Sequence, residues 1–247
     1  LVGVQTVNWD SPLAMAKALK AAGYKFVIGY ITPNSHKYPH KQVNKAVVAA
    51  CNKAGLPLML FYETYATRAW SGYSGGVRDA WACKRYLSAA GLPRNSKVIF
   101  TADCSIPGKY AARYWAGIKS VFGFAQWAYG GGCLTYLFDH KLIAGAVQTA
   151  PLSFRLRGGG IFWDPRSVIR EGYACWAGYH RCTIERALTT DWSRLPVVNP
   201  WVLIPPTTTT TTLPPTTLLG PTTTESTTTT TTTEAVLETS TTLELQP

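Results

Sequence analysis

One rhythm repeats along the chain. A short, almost wholly apolar run gives way to a polar loop, then to a helical stretch that stops at glycine. The runs are VGVQTVNW (Val2 to Trp9), KFVIGYI (Lys25 to Ile31), PLMLFYE (Pro57 to Glu63), KVIFTAD (Lys97 to Asp103), FAQWAYGGG (Phe124 to Gly132) and AVQTAP (Ala146 to Pro151). Between them lie SPLAMAKALKAAG, KQVNKAVVAACNKAG, VRDAWACKRYLSAAG, KYAARYWAGIKSVFG and the shorter CLTYLFDHKLIAG. Ser11 is placed to cap the first helix, Pro12 opens it, and Gly23, Gly55 and Gly91 close the first three. Strands that are continuously apolar, separated by amphipathic helices, predict a parallel sheet covered by helices.

Five or six such units without a break in composition favour closure into a TIM-type (β/α)8 barrel. A doubly wound sheet is the alternative. It usually carries a Gly-rich dinucleotide turn after its first strand, and none follows VGVQTVNW. After Pro151 the rhythm fails. SVIREGYACWAGY and HRCTIERAL read as strands seven and eight around a tight turn, with the sixth helix lost or reduced. The expected barrel is therefore irregular in its last quarter.

The domain ends near residue 205. From Pro206 to Pro247, Thr supplies half of the residues, and no Lys, Arg or aromatic residue occurs. Such a stretch has little apolar area to offset the entropy of ordering it, so 206–247 is read as a disordered linker or an O-glycosylated stalk. All 24 basic residues precede it, so the domain is more basic than the +11 of the whole chain. Polyanions such as an acidic cell wall suit that charge. The basic residues are scattered, which weighs against nucleic acid as the partner. No 18-residue apolar run is present to span a membrane.

In a barrel of this kind, chemistry sits at the carboxyl ends of the strands. Those ends offer Gln5, Trp9 and Asp10, then Glu63, Asp103, Trp127, Tyr129 and Gln148, and late in the chain Glu185 and Asp191. Glu63 and Asp103 fall on adjacent strands, about 4.8 Å apart. Their carboxyl groups are then expected roughly 5 to 9 Å apart, a range that suits the acid and base of a glycosidase. The competing reading has each carboxylate capping a loop or pairing with an arginine such as Arg68. Trp9, Tyr62, Tyr65, Trp70, Trp127 and Tyr129 cluster at or beyond strand ends, where flat rings suit stacking on sugars.

Other chemistries lack their residues. His36 and His40 stand in a proline-containing loop, there is no HExxH, and Cys175 and Cys182 are not spaced for zinc. Neither triple glycine precedes a Lys, and no GxSxG elbow occurs. No cofactor or metal is expected. The six cysteines fall into three neighbouring pairs on the proposed barrel: Cys51 with Cys83, Cys104 with Cys133, and Cys175 with Cys182. These are read as disulfides of a secreted or envelope-associated protein, with buried free thiols as the competing reading.

LKAAGYKFVIGYI, AAGLPLMLFYET, KVIFTAD, YGGG and ERALTTDW, in that order, resemble the domain of unknown function 1906, the Rv2525c-like glycoside-hydrolase-like domain of actinobacterial, related bacterial and phage proteins. The resemblance covers about Val2 to Trp192. It implies a barrel related to the muramidases of glycoside hydrolase family 25, and peptidoglycan or another envelope glycan as substrate. Glu63 matches the family Glu after strand three, Asp103 the first acid of the strand-four motif, and Tyr129 and Gly130 the YGG turn. Gln148 matches a family glutamine, and WDPR (Trp163 to Arg166) is kept. Three acidic positions differ: Gln5 replaces an Asp, Ser105 replaces an acid, and Glu185 stands for an Asp, with Asp191 matching a later acid.

The expectation is thus a monomeric, secreted, glycosidase-like barrel. Asp103 and Glu63 are its acid and base, and Glu185, Gln148 and Tyr129 orient substrate. Gln5, Trp9, Asp10, Tyr65 and Trp127 line the groove. The alternatives are a non-catalytic envelope-binding module, which the changed acids favour, and a purely structural surface or phage-tail protein.

Overall fold

The computed structural model describes residues 1–6, 8–32, 39–102, 106–149, 167, 169–177, 180–187 and 194–198, with backbone alone at 6, 170–177 and 180–186. The Thr-rich stretch expected from Pro206 lies outside them.

The expected alternation is present through six strands. In chain order the elements are β1 (Val2–Thr6), α1 (Pro12–Ala21), β2 (Val27–Tyr30), α2 (Lys45–Ala54), β3 (Leu58–Tyr62), α3 (Gly72–Ala89), β4 (Ile99–Thr101), α4 (Gly108–Phe122), β5 (Gln126–Gly130), α5 (Cys133–Asp139) and β6 (Ile143–Gln148). Each of these strands pairs in parallel with the next, so β1 to β6 form one curled sheet.

The (β/α)8 expectation needs correction in the last quarter. β7 (Ile169–Ala177) adds parallel to β6, but β8 (His180–Ala187) runs antiparallel to both β7 and β1. The ring closes in the order β1 to β8 with a hairpin in place of the final βα units. The physical reason is length. Ala177 and His180 are only three residues apart, which permits a hairpin, whereas a parallel return needs a crossover of a dozen or more. Strands seven and eight are where the sequence placed them; their direction is what differs.

Local chemistry sets the helix ends. Pro12 sits in the first turn of α1, where its missing N–H costs nothing, but the Ser11 side chain makes no capping hydrogen bond. Asn44 does cap α2: its Oδ1 accepts from the Val47 N–H at 3.1 Å. That helix ends on Gly55, whose φ of 63° is the left-handed conformation that a side chain disfavours.

Two apolar layers follow from the period-two alternation of strands. Ile28, Tyr30, Met59, Phe61, Ile99, Trp127, Tyr129 and Val147 form a cluster of strand residues inside the ring. The residues between them, such as Val27, Leu60, Tyr62, Phe100, Ala128 and Ala146, pack outward on the helices. Small residues make room for large ones inside. A Cβ at Gly3 would collide with the Phe26 ring, and one at Gly145 would lie 2.6 Å from that of Trp127. Among the described residues the lower interior of the ring is therefore filled by side chains.

Candidate functional site

β1, β2, β3 and β5 each bring an inward polar or aromatic residue to the carboxyl-end face. The Gln5 amide Nε2 donates a hydrogen bond to the Tyr30 hydroxyl. Tyr30 meets Phe61 edge-on at 5.9 Å between ring centroids, and Phe61 meets Tyr129 likewise at 5.2 Å. Lys41 Nζ stands 5.4 Å from the Tyr30 ring centroid. This row of three rings is the floor under the mouth of the barrel.

Glu63 is the residue after β3 and continues the inward alternation of Met59 and Phe61. It is half-buried, and its backbone carbonyl accepts a hydrogen bond from the Thr32 hydroxyl at the end of β2. That bond ties the Glu63 backbone to the chain just beyond β2, one inward position past Phe61. Asp103 and Asp191, the other expected acids, lie outside the described residues. Glu185 lies on β8 opposite Gly3 of β1 and Glu171 of β7.

The remaining expected residues separate. Trp9 is buried against Gly29 in the layer beneath the helices, with no partner for its Nε1. Trp127 is buried inside the ring below Tyr129. Neither ring presents a face to a ligand. Gln148 is buried at the end of β6, one residue beyond the inward Val147, which puts it on the helix side by alternation. Asp10 is exposed in the turn after β1, where its N–H donates to Asn8 Oδ1 at 2.8 Å. Tyr65 is exposed beside Arg68, whose NH1 donates to its hydroxyl at 3.1 Å. Tyr129 is brought to the floor as expected.

Arg68 does not serve Glu63. Its Nε and one terminal nitrogen donate to the two carboxylate oxygens of Asp79 at 2.7 and 2.6 Å, and the Tyr114 hydroxyl donates to Asp79 at 2.7 Å. The hydrogen bond to Asp79 raises the Arg68 pKa further above its ordinary value, against the opposing effect of burial. Burial, with Asp79 adding to it, also raises the Tyr62 and Tyr114 hydroxyls, which stay protonated. The signal for this triad was Asp79 on the apolar stripe Gly75, Gly76, Asp79, Ala80, Cys83 of α3. A carboxylate among buried positions implies a cationic partner.

The expected Cys51–Cys83 bridge is absent. Both residues are free and buried, and burial pushes the Cys51 thiol up to about 12. They face the apolar layer under α2 and α3, where a thiol behaves as a small hydrophobe. Cys104 lies outside the described residues. Cys175 and Cys182 are directly opposite in the β7–β8 ladder, described for backbone only. His36 is likewise outside, and His40 sits in a short helical turn with its carbonyl accepting from the Trp9 N–H at 2.7 Å. Among the described residues, no group of three His, Cys, Asp or Glu side chains could hold a metal ion, and no helix is long and apolar enough to cross a membrane.

Residues 17–130, the part of the chain that builds the ring floor and Glu63, match the family model of the Rv2525c-like, glycoside hydrolase-like domain. That stretch of the chain is similar to the family. The chain shares its fold with the Tat-secreted protein Rv2525c of Mycobacterium tuberculosis, with a TM-score of 0.66 at 16% identity over 79% of this chain and 98% of that one. An uncharacterised protein of B. stearothermophilus shares it at TM-score 0.55 and 14% identity, over 76% and 95% of the two chains. So does the spore cortex lytic enzyme SleM of Clostridium perfringens, at 0.52 and 11%, over 77% and 68%. At these identities the likeness is one of fold. No curated protein sequence matches the chain significantly.

Proposed function

We propose that the Rv2525c-like domain acts outside the cell on a bacterial cell-wall glycan, bound at the carboxyl-end face of the barrel. The observation that carries this reading is Glu63, half-buried just after β3, its backbone bonded to Thr32 and its place in the strand alternation one inward position past Phe61 of the Tyr30–Phe61–Tyr129 row. A carboxylate over a row of aromatic rings is the arrangement a sugar-cleaving site needs. Ring faces and edges suit the sugar's apolar surface, and the carboxylate can take a proton or stabilise the positive charge that grows on the sugar ring. Asp103, two residues beyond the end of β4, is the proposed proton donor to the leaving oxygen. Glu63 is the proposed base or charge stabiliser. The family match, and a spore cortex lytic enzyme among the proteins that share the fold, support a glycan substrate. The fold shared with a Tat-secreted protein supports export.

A second reading has its own observation. Gln5, half-buried beside Tyr30, cannot transfer a proton, yet it stands where the resemblance expects an Asp. That favours a module that binds the wall without cutting it. Release of soluble reducing ends from purified cell wall, measured beside a pull-down on the same wall, separates the two. Release supports the hydrolase. Retention without release supports the binding module. Neither retention nor release overturns both.

A further inference from the structure

A second site lies outside the barrel. The connection from β3 and the exposed face of α3 enclose a cleft of about 700 Å³, lined among others by Tyr62, Tyr65, Arg68, Arg78, Trp81 and Arg85. Neither Gln5 nor Glu63 lines it. Asp79 is the only acidic residue in its walls, against three arginines. That carboxylate is already engaged by two nitrogens of Arg68 and by Tyr114, so it has little left to repel an incoming anion.

The two remaining arginines are uncommitted. Arg78 and Arg85 are exposed and make no ion pair with any described residue. They are seven residues apart on α3, two helical turns, so they project from one face with about 10.5 Å between them along the axis. A guanidinium offers a planar fork of donors that matches carboxylate or phosphate oxygens. Between them stands Trp81, 48% exposed, with Lys84 Nζ 5.6 Å from its ring centroid on one side. Tyr65, which lines the same cleft, is 51% exposed. Deeper in the wall, the Tyr62 hydroxyl is buried with no hydrogen-bond partner among the described residues. A buried hydroxyl left unpaired costs about 1–3 kcal/mol, and its presence in a cleft wall calls for an oxygen to satisfy it.

We propose that this cleft binds an anionic polysaccharide. The sugar ring stacks between Trp81 and Tyr65, and its carboxylate or phosphate groups are held by Arg78 and Arg85. Two cations spaced about two turns apart around a single aromatic platform suit a chain with one charge per sugar unit or fewer. They do not form the continuous basic track that a nucleic-acid backbone requires. The site does not depend on the chemistry at the barrel mouth, and it would hold the domain on a negatively charged wall whether or not Glu63 cleaves.

The test is calorimetric titration of the full chain at physiological salt. The probes are polygalacturonate, whose charge is carboxylate, a phosphomannan, whose charge is phosphate, neutral chitin oligosaccharides, and a single-stranded DNA of matched charge. At least one of the two anionic polysaccharides is expected to bind more tightly than the neutral sugar and the DNA, and which one binds identifies the anion. Arg78→Ala with Arg85→Ala is expected to weaken that binding at least tenfold, and Trp81→Ala to weaken it severalfold, with the unfolding temperature unchanged. Lys17→Ala with Lys25→Ala, two exposed cations elsewhere, removes the same net charge and is expected to cost less than threefold. The proposal is overturned if neither anionic polysaccharide binds, or if DNA or the neutral sugar binds as well. It is equally overturned if the arginine pair costs no more than the lysine pair.

Discussion

Gln5 and Tyr30 meet inside the barrel, where the Gln5 amide donates to the Tyr30 hydroxyl while its own Oε1 is buried without a partner. The hydrogen bond contributes about 1 kcal/mol, and the orphaned carbonyl costs about as much or more. Gln5→Leu removes both at once and is expected to change stability by less than about 1 kcal/mol. A urea unfolding curve checks this; a loss above about 3 kcal/mol would mean that Gln5 is satisfied in solution.

Gln5→Asp tests the same position for chemistry. It places a carboxylate beside Tyr30, at the position where the resemblance expects an Asp. Positioned acid–base groups typically contribute about 100-fold or more. Release of reducing ends from purified peptidoglycan is expected to rise at least tenfold over the parent chain if the mouth is a glycosidase site.

Asp79 is a buried charge that two partners depend on. Its removal leaves Arg68, whose side chain is 17% exposed, without its bidentate partner, and leaves the buried Tyr114 hydroxyl without an acceptor. Breaking a buried pair by deleting one partner typically costs about 3–5 kcal/mol. Asp79→Ala is expected to lose stability in that range by denaturant titration, far more than Arg78→Ala on the exposed face of the same helix.

The six expected strands and five helices were readable because their apolar runs and glycine stops are local signals. Direction in the last hairpin was not readable, because β7 and β8 look alike in composition whether they run parallel or antiparallel. Trp9 and Trp127 were expected to meet sugar because they stand at strand ends. Both rings are buried instead, Trp9 in the layer beneath the helices and Trp127 inside the ring, where Gly145 leaves it room. The clearest miss was Asp79. Its partner Arg68 opens a short 3-10 turn eleven residues earlier, and no periodic pattern links an arginine there to a carboxylate of α3.

The cysteines give a pH test. Burial raises the Cys51 thiol from 9.0 to about 12, so the folded state holds this proton more tightly than the unfolded chain. Its contribution is complete below pH 9 and is lost as pH rises from about 9 toward 12. The unfolding temperature of the parent is expected to fall more steeply between pH 8 and 11 than that of Cys51→Ala. Alkylation without reductant is expected to label Cys51 and Cys83 after unfolding and neither of them before it. A Cys51–Cys83 cross-linked peptide in the mass spectrum would contradict the free thiols.

Packing inside the ring can be probed at Gly145. An added methyl group would press on the Trp127 ring at 2.6 Å. Overpacking of this kind costs about 1–3 kcal/mol. Gly145→Ala is expected to fall in that range, and Gly145→Ala with Trp127→Leu to recover part of the loss.

The central claim is that a carboxylate at the mouth of this barrel works on cell-wall glycan. The most direct measurement is the release of reducing ends from purified peptidoglycan by the parent chain, Glu63→Gln and Asp103→Asn, each with its unfolding temperature. The account predicts release by the parent, loss of at least 100-fold in each amide, and unchanged unfolding temperatures. Equal release by all three proteins would contradict it.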